Sequence, residues 1–209
     1  VEGVSEPGQS LSPHDVDLFG SVYQSDTDEV IWNITDLERG LLLVNTSRTV
    51  MVAGFGGGMN FDFQGVVVEP GDTVLDGWSV ITLTVVEGEN FAKWGRLLLI
   101  ATGYTTNTGM PVSTYENGRI ITVGSTTVTK IEKYNGAITC GSRWGAAPTL
   151  VEGIPVTVKV KTSVDFEVWA LDNVGRRAQQ VTVSIQGDYR TFNVGAEYKT
   201  LWYEIAVKD

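Results

Sequence analysis

The stretch from Asp165 to Ile185 constrains the fold more than any other. Phe166, Val168 and Ala170 alternate with Glu167, Trp169 and Leu171, a period of two that belongs to strands and not to helices. Asp172-Asn173-Val174-Gly175 is turn chemistry: Asp and Asn side chains bond back to the backbone, and Gly tolerates positive φ. After it, Val181, Val183 and Ile185 alternate with Thr182, Ser184 and Gln186. A hairpin with one apolar and one polar face must lay the apolar face on a core. The pattern places Val181, Val183 and Ile185 together on that face.

The same grammar runs through most of the chain. Ser79, Ile81, Leu83 and Val85 alternate with Val80, Thr82, Thr84 and Val86. Leu41–Val44 and Leu97–Ile100 are short continuous apolar runs of the kind found in buried strands. Glu87 to Gly95 reads as a polar loop carrying Phe91 and Trp94, residues 105 to 118 as a long polar connection, and 132 to 148 as irregular. The glycine run at 54 and 56 to 58 suits a tight bend or a close backbone approach. It lacks the Lys-Ser/Thr and the helix of a phosphate loop. No segment of helical length shows a helical period, and 24 glycines punctuate the chain. The expected class is all-β: an antiparallel β-sandwich, jelly-roll-like, with little or no helix. Residues 1–16 read as a linker or N-terminal arm and 17–209 as one sandwich. The alternative is two smaller β domains divided near 132–148.

Charge excludes some partners. With 25 acidic against 15 basic residues the net charge is −10, and no basic cluster opposes the repulsion of nucleic acid or anionic lipid. Neutral partners such as polysaccharide fit. No apolar run reaches membrane-spanning length. The chain opens on Val1. This suggests a trimmed mature protein or a module of a longer one, secreted to the extracellular space.

Catalytic chemistry is thinly supplied. The single histidine, His14, lies in the Pro/Ser-rich arm, so a Ser-His-Asp or Cys-His site is not expected. The single cysteine, Cys140, reads as a small buried hydrophobe and permits no internal disulfide. Zinc lacks ligands. A glycosidase needs two facing carboxyl groups. Glu152 and Glu204 stand out among the acids because apolar residues flank them, and the simpler reading makes them hydrogen-bonded strand residues. Asp26, Asp28 and Glu29 are the candidates for a calcium ion, and no EF-hand loop is present.

Aromatic residues are the informative class, with six tryptophans and seven tyrosines. Flat rings stack on the C–H faces of pyranoses at low entropic cost. Trp32, Trp144 and Tyr203 lie in apolar motifs and are assigned to packing. Trp78, Trp94, Trp169, Trp202, Tyr115 and Tyr189 are the candidates for a sugar platform, with Asn90, Asn107 and Asn117 as hydrogen-bonding partners.

An ordered set of motifs resembles a β-sandwich module at the C-terminal end of large bacterial glycoside hydrolases and cellulase-like proteins. It begins with Ser25-Asp26-Thr27-Asp28-Glu29-Val30-Ile31-Trp32 and Gly40-Leu41-Leu42-Leu43-Val44-Asn45-Thr46-Ser47-Arg48-Thr49. It continues through Arg96–Gly103, Asn107–Met110, Trp144–Gly153, Ala170-Leu171-Asp172 with Gly175-Arg176-Arg177, and Lys199–Ile205. The set covers roughly residues 20 to 206. It departs from the family pattern at Asp28, where that pattern has Gly, and at Ser47, where it has Pro. The resemblance implies a non-catalytic accessory module that accompanies polysaccharide hydrolysis. The expected function is a carbohydrate-binding module for a β-glucan-type plant polysaccharide. The alternative is a structural sandwich that packs on the catalytic domain of a parent glycoside hydrolase without binding sugar.

Overall fold

The computed structural model describes residues 22–36, 39–63, 65–110 and 144–208, with the backbone of four short strands between 121 and 139. Strands are numbered in chain order. Nine form one antiparallel sheet. Across it run β1 (Val22–Gln24), β2 (Val30–Asn33), β3 (Leu41–Asn45), β4 (Thr49–Phe55), β7 (Trp78–Asn90), β8 (Lys93–Thr102), β20 (Trp202–Val207), β16 (Phe166–Leu171) and β17 (Arg177–Val181). A second sheet runs β18 (Val183–Gln186), β19 (Tyr189–Val194), β15 (Val156–Lys161), β6 (Val66–Pro70) and β5 (Phe61–Asp62). Three two-stranded ribbons complete the strands. They pair β9 (Thr105–Thr108) with β14 (Ala146–Val151), β10 (Ile121–Val123) with β11 (Thr126–Val128), and β12 (Glu132–Tyr134) with β13 (Ala137–Thr139). The only helix among the described residues is a single 3-10 turn, Ala196–Tyr198. No helix among them is long and apolar enough to cross a membrane.

The two large sheets share one core, so the molecule is an antiparallel β-sandwich. Val50, Val52, Ile81, Leu83, Leu97, Leu99, Val168 and Ile205 meet Val68, Val156, Val158, Phe192 and Val194 across the interior. Ser79, Ile81, Leu83 and Val85 are the buried set of β7, as their alternation predicts. Both sheets interleave early and late parts of the chain: β15 pairs with β6, and β20 pairs with β8. At Gly54 (φ +123°) an added Cβ would collide with the carbonyl of Gly40, so the glycine run does mark a close backbone approach.

The stretch that opened the sequence reading holds in its first half. Phe166, Val168 and Ala170 are buried. The turn is closed by Asp172 Oδ1, which accepts the backbone N–H groups of Val174 (2.9 Å) and Arg176 (2.8 Å). Those bonds to its charged form hold the Asp172 carboxyl below its ordinary pKa. The second half needs correction. Val181 ends β17 in the nine-stranded sheet, and after Thr182 the chain crosses into the five-stranded sheet as β18. Val181 is buried and Val183 packs on the core, but Ile185 is 69% exposed. The cause is position: Ile185 lies on an edge strand opposite Arg190, at the margin of the core.

The expected polar loop from Glu87 to Gly95 is instead a hairpin arm. β7 runs on to Asn90 and β8 resumes at Lys93, with register shifts near Glu87, Gly88 and Asn90. Its polar residues are exposed on a paired strand arm, while Phe91 and Trp94 turn in to pack against the core. Likewise, the polar connection after residue 104 begins as β9, and the irregular stretch before residue 148 contains β12, β13 and the start of β14.

Candidate docking face

The two sheets differ in what they show to the outside. On the five-stranded sheet the outward positions are Glu69, Thr157, Lys159, Ser184, Gln186 and Asn193, around Val67, Thr191 and Tyr189. Lys159 reaches over to Glu69 at 2.6 Å. The row is polar, as expected of the second face of an antiparallel sheet, although Val67 (6%) and Thr191 (5%) at its centre are buried.

The nine-stranded sheet departs from that rule. Pairing carries its outward row from Val30 through Val44, Met51, Thr82 and Ile100 to Trp202. A second outward row runs from Tyr23 through Trp32, Leu42, Ala53 and Val80 to Thr102. Phe55 and Trp78 pair on the same face, and Leu98 faces outward beside Glu204. The centre is aliphatic and the aromatics stand around it. Val30 is 38%, Trp32 47% and Trp202 38% exposed. β8 explains the pattern: in Leu97-Leu98-Leu99-Ile100 both parities are apolar, so one set fills the core and the other faces out.

One flank of this face is a charged corner whose groups satisfy one another. Glu204, 14% exposed at its side chain, lies between Arg96 Nε (3.2 Å) and Arg177 Nε (2.5 Å). Trp169 Nε1 donates to Glu167 Oε2 at 2.6 Å, and the Arg177 guanidinium sits 5.6 Å from the Trp169 ring centroid. These contacts fix the orientation of Trp169. At the Phe55 end, Arg39 stacks over the ring at 4.6 Å and pairs with Asp76 at 2.8 Å.

The structure gathers only part of the expected platform. Trp78, Trp169 and Trp202 share the outer face of the nine-stranded sheet. Trp169 and Trp202 are diagonal neighbours on adjacent strands, within reach of each other at about 7–8 Å. Trp78 stands apart from Trp202 by roughly 17 Å, at strand spacings of about 4.8 Å and a rise of about 3.4 Å per residue. Trp94 turns to the inner side and packs on the core. Tyr189 is on the outer side of the other sheet. Asn90 closes the β7–β8 turn by accepting from Ala92 and Lys93, and Asn107 bonds the Trp144 carbonyl and Thr149. Tyr115 and Asn117 lie outside the described residues, as do His14 and Cys140.

Two residues assigned to packing are not packed. Trp32 is 47% exposed and Trp144 is 63% exposed. Trp32 stands on β2 and faces outward, where its ring meets Tyr23 (ring centroids 5.6 Å apart, planes 34° apart). Tyr203, also assigned to packing, is buried. Its hydroxyl donates to the carbonyls of Gly195 and Thr200, both at 3.3 Å. Tyr23, Phe55, Leu42, Val44, Met51, Leu98 and Ile100 are the face residues that the aromatic census did not select.

The carboxylates have structural duties. Glu152 accepts the backbone N–H groups of Val74 (2.7 Å) and Tyr104 (3.0 Å), tying two loops together. Glu204 is held by its two arginines. Asp26, Asp28 and Glu29 do not come together as a cluster of metal-ligating side chains. Among the described residues no cluster of three or more His, Cys, Asp or Glu could hold a metal ion. No family model, curated protein or solved structure matches the chain.

Proposed function

We propose that the chain is a non-catalytic accessory β-sandwich that packs, through the outer face of its nine-stranded sheet, on the catalytic domain of a polysaccharide-degrading enzyme. The observation that carries the reading is the apolar character of both faces of that sheet. An aliphatic centre of Leu42, Val44, Met51, Leu98 and Ile100 bordered by Trp32, Trp78 and Trp202 has the composition of a protein interface: aromatics and Met enriched, charge kept to the margin. Water is a poor neighbour for so continuous an apolar surface. A polysaccharide track asks for something else, aromatic rings in line at sugar spacing with hydroxyl partners between them. Here aliphatic side chains fill the intervals. The flanking charges are already paired, so the surface calls for a largely uncharged partner. The motif resemblance from Ser25 to Ile205 supplies the nature of that partner.

Thermal unfolding of the whole polypeptide joining this chain to a catalytic domain tests the reading. Docked parts unfold in one coupled transition, and Met51→Lys with Ile100→Lys splits it in two. Two independent transitions in the unsubstituted polypeptide, each at the temperature of its isolated part, would overturn it.

A further inference from the structure

We draw no further inference here: the strongest candidate, the edge strand β17 (Arg177–Val181) that ends the nine-stranded sheet with only β16 beside it among the described strands, carries nothing, because a register shift next to Leu171 already interrupts its ladder and nothing in the structure shows what extended segment would cover it.

Discussion

Trp94 packs against Phe166, ring centroids 5.6 Å apart and planes inclined by 58°, and so joins the β7–β8 arm to the interior. Phe166 in turn meets Phe192 edge-on at 6.2 Å, which extends the contact into the second sheet. Trp94→Ala should therefore lower stability by about 2–4 kcal/mol, a little under the roughly 3–5 kcal/mol of a fully buried aromatic because Trp94 is half-buried. Trp32→Ala should cost less than about 1 kcal/mol, because about half of the residue is in water and it stands outside the core. Urea unfolding of the two variants ranks them. The reverse order would mean that the arm, not β2, is the freer element.

The crossing at Thr182 gives a sharper contrast within one short segment. Val181→Asp places an unpaired charge in the core and should destabilise by several kcal/mol. Ile185→Asp, two strand steps further on the apolar parity, should stay within about 0.5 kcal/mol. Equal losses from both would show that β17 and β18 form one continuous core strand.

Tyr203 makes the alkaline limb of stability specific. Burial, with a smaller push from nearby Glu197, raises its phenol to about 12. An unfolded tyrosine ionises near 10. The folded state thus favours the neutral phenol. That contribution is complete below about pH 10 and is lost as pH climbs towards 12. Ultraviolet titration of the native chain should show one phenolate appearing last, and Tyr203→Phe should remove it. If Tyr203→Phe leaves the last phenolate in place, the hydroxyl is not held as described.

Fold class was legible because strand periodicity is local. The alternation in β7 and β16 and the Asp172–Gly175 turn are written in consecutive residues, and the core sets follow from them. Sheet membership was not legible. Nothing in Val181-Thr182-Val183 says that the chain changes sheets there, and the fate of Ile185 depends on that change. Polarity misled at Glu87–Gly95 because the exposed residues of a strand arm at the edge of the core are as hydrophilic as a loop. The docking face was hidden for a related reason. Which parity of Leu97–Ile100 meets the second sheet, and which meets Trp202 and Met51 on the outside, is set by strand order, and strand order is a long-range property. The aromatic census therefore found Trp78, Trp169 and Trp202 but could not see the aliphatic rows that separate and connect them.

Oxidative footprinting of the chain, alone and with the catalytic domain joined to it, tests the central claim most directly. Met51, Trp32 and Trp202 share the outer face, while Trp144, 63% exposed, stands off that sheet and serves as an internal control. The account predicts that oxidation of Met51, Trp32 and Trp202 falls several-fold in the joined polypeptide while that of Trp144 does not change. Equal oxidation of the three residues in both states would contradict it.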